Sequence, residues 1–161
     1  MLETMICVDL AKSVFQVHGA SMTGVVRFRK RLTRSQFRRF LATEPRAVFV
    51  MEACGSAHYW AREMVKISHE VKLIAPQYVR PFVKRQKNDA ADAEAIVIAA
   101  QRPEMTFVGT KDEDQQASAV LFRSRERLIQ QRTVAVNALR SILYEFGHVV
   151  PSGIRNIRRI E

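Results

Sequence analysis

Three short runs, ETMICVDL, AVFVMEA and VKLIAP, are mostly apolar, and they limit the fold of this chain more than any other feature. Each is too short for a stable helix and reads as a strand buried on both faces. Such strands need helices above and below, and the intervening segments supply them. Thr33 is placed as the N-cap of TRSQFRRFLAT, with Phe37, Phe40 and Leu41 inward. Ser56 is placed to cap AHYWAREMVKI, where Trp60, Met64 and Ile67 keep the helical spacing of a core face. FQVHGAS and VVRFRKRL, joined by Met22-Thr23-Gly24, add a hairpin meander. In the second of these, Val26, Phe28 and Lys30 alternate with Val25, Arg27, Arg29 and Arg31, so one edge is strongly basic. Three strands, helix, strand, helix, strand predicts an α/β fold, a mixed sheet flanked by helices.

The rest changes character by stages. YVRPFVKRQK is a basic connector with two aromatic residues, and the helix of KNDAADAEAIVIAA follows, ended by Pro103. MTFVGT reads as a brief strand or extended link. From Asp112 to Phe146 there is no Pro or Gly, and Leu121-Phe122, Leu128-Ile129, Ala135-Val136 and Ile142-Leu143 recur every seven residues, with Leu139 and Phe146 widening the stripe. A helix of that length reaches about 50 Å, longer than a small core covers. It predicts a coiled-coil-like arm that pairs with another chain or domain; the plainer alternative is a bent helix packed on its own sheet. The tail, PSGIRNIRRIE, is short and basic.

Charge points to a partner. The chain has 26 Lys and Arg against 16 acidic residues, a formal charge of +10, and a balance this basic usually meets a polyanion, most often nucleic acid. A solvated basic surface is the plainer reading. An apolar content of 47% supports a real core. No apolar run approaches the roughly 20 residues that span a bilayer, and MLETMICVDL has no basic segment of the secretory type, so a cytoplasmic location is expected. Cys7 and Cys54 have no partners at zinc-like spacing and read as reduced thiols. His18, His58, His69 and His148 are scattered; His58, near Glu52 in sequence, is more simply a packed or surface residue than part of a site.

Four carboxylates stand where chemistry would need them. Asp9 ends one apolar strand and Glu52 ends another, while Asp89 and Asp92 lie three residues apart at a helix start. If the two strands are neighbours, Asp9 and Glu52 emerge at one edge of the sheet, and Asp89 and Asp92 share a helix face. Converging acids repel unless cations neutralise them, and a pair of divalent metals does so while clamping a phosphodiester. Singly, each acid has a structural role open to it: a turn cap for Asp9, a loop start for Glu52, a helix N-terminus for Asn88, Asp89 and Asp92. Lys12, three residues past Asp9, is placed to touch a scissile phosphate or simply to be exposed.

MICVDLAKSVFQVHG, MEACGSAHYWAREM, PQYVRPFVKRQKNDAADAEAI and RERLIQQRTVAVNALRSILYEFGHVVPSGI together resemble the DEDD transposases of bacterial insertion sequences, the insertion sequence 110 family close to its 1111 subgroup. The resemblance runs from about Met5 to Ile154. It implies a ribonuclease-H-like (RuvC-like) mixed sheet flanked by helices and followed by the long coiled-coil-like helix. It implies that Asp9, Glu52, Asp89 and Asp92 are catalytic acids binding Mg2+, two ions with Mn2+ able to substitute. The activity implied is DNA strand cleavage and exchange during transposition, guided by a structured RNA that pairs with donor and target DNA. By charge and position, Lys12, Arg29, Arg31, Arg80, Lys84, Arg85 and Lys87 are the expected nucleic-acid contacts. The family pattern continues into a second domain with a nucleophilic serine, and Ser152 does not match that motif. The expected layout is therefore a catalytic domain over 1–111, a helical arm over 112–147 whose stripe is the expected homo-oligomer contact, and a basic tail over 148–161 leading to a domain absent from this chain. Two other functions fit the same residues: a nucleic-acid-binding and dimerisation module without activity of its own, and a stand-alone junction-resolving endonuclease.

Overall fold

The structure, a computed structural model, describes residues 4–23, 25–83 and 89–157, leaving aside the side chains of 89–91, 154 and 157. The chain divides into two units, Met1–Asp112 and Glu113–Glu161. The first is built on a six-stranded sheet in the order β3-β2-β1-β4-β5-β6. Its strands are β1 (Thr4–Asp9), β2 (Val14–Ser21), β3 (Val26–Thr33), β4 (Val48–Glu52), β5 (Glu70–Ile74) and β6 (Phe107–Val108). β1, β2 and β3 form an antiparallel meander, β4 and β5 run parallel to β1, and the two-residue β6 closes antiparallel on β5. This is the mixed sheet, flanked by helices, that the sequence predicts.

Helices cover both faces, as three doubly buried strands require. Helix α1 (Arg34–Thr43) and α2 (Ala57–Lys66) lie on one side; there Ile6, Val8, Phe15, Val17, Phe49, Met51 and Leu73 pack with Phe37, Phe40, Trp60 and Met64. Phe15, Phe37 and Trp60 meet edge to face at centroid distances of 5.1 to 5.3 Å. The other side carries α3 (Pro76–Val79), a 3-10 turn (Arg80–Phe82) and α4 (Asp89–Ala100). There Cys7, Val48, Val50 and Ile74 meet Val79, Ala95, Ile96 and Ala99. The alanines of α4 let its backbone approach the sheet closely.

Local chemistry sets most boundaries. Thr33 caps α1 with a full capping box, its hydroxyl accepting from the Gln36 N–H while Gln36 Oε1 accepts from the Thr33 N–H at 2.8 Å. Ser56 holds the cap position of α2, yet at φ −113° and ψ 1° its hydroxyl makes no capping bond; the expectation of a side-chain cap is corrected. Ile67 is also corrected: α2 ends at Lys66, so the turn carries Ile67 out to 45% exposure while Trp60 and Met64 are fully buried. His69 is a packed histidine, its Nδ1 accepting from the Ala47 N–H and its Nε2 donating to the Leu41 carbonyl at 3.0 Å.

The second unit contains α5 (Glu113–Glu145), 33 residues long, and the single turn α6 (Ile154–Ile157). Gly147, at φ +82°, ends α5 in the left-handed conformation that glycine tolerates, with the His148 N–H bonding back to the Leu143 carbonyl. Arg140 Nη2 then donates to the Gly153 carbonyl at 2.7 Å, holding the following chain to the helix. No described residue of α5 is buried; Leu121 and Phe122 are each 72% exposed.

Gly19 on β2 has the Phe28 ring of β3 lying where a Cβ would stand. Gly19→Ala should therefore destabilise the sheet by about 2 kcal/mol through overpacking, read by urea denaturation. Phe28→Ala on that background should lose less than it does alone; strictly additive losses would show that the ring is not the obstacle.

Candidate acidic site at the carboxyl edge of the sheet

Two of the four acids are placed by one strand pairing. In the parallel β1–β4 ladder Val8 stands opposite Met51, and Asp9 and Glu52 are the next residues out. Neighbouring strands lie about 4.8 Å apart, so two carboxylates leave the sheet side by side. Alternation also sets the face. Cys7 and Val50, two residues back, belong to the α4-side core, so Asp9 and Glu52 emerge on that side.

α4 brings the third acid. Burial, and after it the negative charge of Asp92, hold the Glu52 carboxyl above the ordinary carboxylate range, while the Arg80 guanidinium opposes the rise. Asp92 Oδ1 is screened from water and has no hydrogen-bond partner among the described residues. Asp89 opens α4 one turn earlier; its side chain lies outside those described. Among the described residues, no three His, Cys, Asp or Glu side chains close into a ready metal cage. The donor set is nonetheless all carboxylate oxygen, the ligand type that hard divalent cations take. A buried oxygen with no hydrogen-bond partner among the described residues, beside a second, desolvated carboxyl, is a place where a cation would offset the cost of burial. The residues present therefore fit such an ion.

The antiparallel side extends this edge into basic territory. Asp9 pairs with Gln16 and Gln16 with Arg31, a row that puts Arg31 two strands, about 10 Å, from Asp9. The row behind it runs Cys7, His18, Arg29. Arg29 and Arg31 are exposed and share the face from which Asp9 emerges. His18 is buried in this face with Nδ1 unpartnered among the described residues, and burial, then Arg29, hold its imidazole below the ordinary value while Glu94 opposes. Sequence reading missed Gln16, because only the register puts it between Asp9 and Arg31.

The other expected contacts scatter. Lys12 is exposed in the β1–β2 turn, its carbonyl accepting from Arg34 Nη1 at 3.3 Å. Arg80 is exposed after β5 and is felt by Glu52. Lys84, Arg85 and Lys87 lie outside the described residues. His58 has a structural role, as its Nδ1 accepts from the Lys111 N–H at 3.2 Å, while Arg62 donates to the Lys111 carbonyl at 2.9 Å.

Residues 6–147 match the DEDD transposase family of the IS110 type, described as a transposase. The chain is 46% identical over 157 residues to the transposase for insertion sequence element IS1328 of Yersinia enterocolitica, covering 98% of this chain and 47% of that protein. It is 52% identical over 139 residues to a probable family 20 transposase of Pseudomonas aeruginosa, covering 86% of this chain and 41% of that protein. To the transposase for insertion sequence element IS1111A of Coxiella burnetii it is 40% identical over 148 residues, 92% of this chain and 41% of that protein. It is similar as well to T. thermophilus RuvC in a complex with Holliday junction substrate, at 10% identity and a TM-score of 0.46, covering 65% of this chain and 99% of that one. The chain belongs to the IS110-type DEDD transposase family. It spans less than half the length of these three transposases.

The raised Glu52 carboxyl yields a test without metal. A carboxyl that binds its proton more tightly when folded lowers stability as pH rises through and above its ordinary value of 4.5. In EDTA, Glu52→Gln should therefore raise the thermal midpoint at pH 7, and the gain should vanish below pH 4. An equal midpoint difference at both pH values would remove the electrostatic account.

Proposed function

We propose that this chain forms the acidic centre at which an insertion-sequence transposase cuts and exchanges DNA strands. The observation that bears most on this is the Glu52–Asp92 repulsion beside Asp9, in a family of transposases. Asp9, Glu52, Asp89 and Asp92 would together hold Mg2+, two ions with Mn2+ as a substitute. When bound, the metal supplies charge neutralisation at the phosphodiester and an acidified water or hydroxyl nucleophile. The chain's own residues do the rest. Asp9 and Glu52, on paired strand ends, fix the spacing of the carboxylates; α4 sets the approach of Asp92; Arg80 tempers the negative charge. Arg29 and Arg31 line the exit from Asp9 and hold phosphates without reading sequence, and Lys12 adds a further cation at the same edge. Lys84, Arg85 and Lys87 join them by charge. A structured guide RNA is the second nucleic acid of this reading, which rests on the family resemblance, and a bacterial cytoplasm is where both would meet it. No described helix is long and apolar enough to cross a membrane.

The exposed stripe of α5 supports a second role, pairing with another copy. Leu121, Leu128 and Ile142 are 72%, 65% and 56% exposed at multiples of seven residues. Leu121→Glu with Leu128→Glu should shift the chain to monomer mass in sizing chromatography; a monomeric parent chain would end the pairing reading.

Metal binding and cutting are tested separately. At a hundredfold excess of Mn2+ over Kd, the folded chain should gain about 2.7 kcal/mol, and Asp9→Asn or Asp92→Asn should lose most of that gain. With Mn2+ and branched DNA the parent chain should release nicked strands and Asp89→Asn should not. Binding of metal and DNA with no cutting by the parent chain would leave it a binding and dimerisation module.

A further inference from the structure

A cleft of about 490 Å³ opens between two loops that the acids do not use. One wall is the segment after β5, with Tyr78, Pro81 and Phe82; the other is the turn after α4, with Arg102, Met105 and Thr106. Hydrogen bonds within each segment build both walls. Tyr78 N–H bonds to the Ala75 carbonyl at 2.9 Å and Val83 N–H to that of Arg80 at 3.2 Å. On the other side Arg102 N–H bonds to the Ala99 carbonyl at 3.1 Å, and Met105 N–H to that of Arg102 at 3.0 Å. β6 ties the second wall to the first, because Phe107 pairs with Ile74 just before α3.

The lining is mostly apolar but not closed. Tyr78 is 46% exposed. The guanidinium of the exposed Arg102 lies over the Phe82 ring at 5.3 Å. Thr106 and Glu104 add a hydroxyl and a carboxylate at the mouth. Planar apolar surface, a stacked guanidinium and a few edge acceptors are what a nucleobase requires. A purely apolar peptide side chain would leave Arg102 and Glu104 unused. The charge around the cleft favours the same occupant. Arg80, in the segment that carries the first wall, is within electrostatic reach of Glu52, and the chain carries +10 overall. From Asp92 the helix continues to Ala100, about 12 Å of rise, and Arg102 of the second wall follows two residues later.

We propose that this cleft receives an unpaired nucleobase of a single-stranded nucleic acid, stacked against Tyr78 and the Arg102–Phe82 pair. The proposal rests on the nucleic-acid reading above and adds a site that holds one base out of the stack. It makes the chain prefer a frayed or single-stranded segment to an intact duplex near the acids.

The test uses the whole 161-residue chain and a short single-stranded DNA carrying one 2-aminopurine, with its duplex and an otherwise identical abasic strand as comparisons. In EDTA, binding should change the 2-aminopurine emission, and the single strand should bind more tightly than the abasic strand by about tenfold. Tyr78→Ala should remove that margin, Tyr78→Phe should keep it, and Thr106→Trp, which fills the cleft, should remove it with an unchanged thermal midpoint. Equal affinity for the intact and abasic strands, or a margin untouched by both Tyr78→Ala and Thr106→Trp, would overturn the cleft while leaving phosphate binding intact. No binding of any strand at low salt would overturn the nucleic-acid reading itself, and the cleft with it.

Discussion

The parallel pairing of β1 with β4 is the constraint on which the rest depends. It sets two strand ends, each finishing in a carboxylate, one strand spacing apart on a single face. Burial first, and then the charge of Asp92 approaching from α4, hold the Glu52 carboxyl above the ordinary carboxylate range, with Arg80 opposing. The helices on the opposite face then act as support. The Phe15, Phe37 and Trp60 cluster packs edge to face behind the sheet.

Much of this architecture was legible in the residues. Apolar runs too short for helices announced the central strands, and Thr33 and the Phe37, Phe40, Leu41 spacing announced α1 with its inner face. Errors came from backbone geometry that residue type does not encode. Ser56 is a good capping residue at the right position, but its dihedral angles turn the hydroxyl away, and Ile67 keeps helical spacing after the helix has stopped. The strand-end positions of Asp9 and Glu52 could be read from their apolar runs. The approach of Asp92 to Glu52 could not, because it depends on how α4 crosses the sheet. Gln16 was invisible for a related reason: its place between Asp9 and Arg31 exists only once the register is known. The cleft walls come from segments about twenty residues apart in the chain and had no local signature at all.

The basic residues divide into two populations with different work. Arg34 and Arg38 lie over the Trp60 ring at 5.4 and 5.8 Å, and Lys30 lies over Phe28 and Phe40, so these cations roof the aromatic core as well as facing water. Arg29 and Arg31 point to the other face, the one that carries the acids. A count of charges alone merges the two groups, whereas the alternation along β3 separates them.

That same alternation bears on how the sheet meets its neighbours. An open sheet has two outer strands whose unpaired backbone groups invite another chain to add on. At one end β6 is only two residues long and offers little to extend. At the other, β3 is a full eight-residue strand, but Arg27, Arg29, Lys30 and Arg31 make it repel a second copy of itself. The arginines that suit a polyanion thus also guard against edge-to-edge aggregation. Neutralising them would leave an eight-residue edge open to pairing with a second copy.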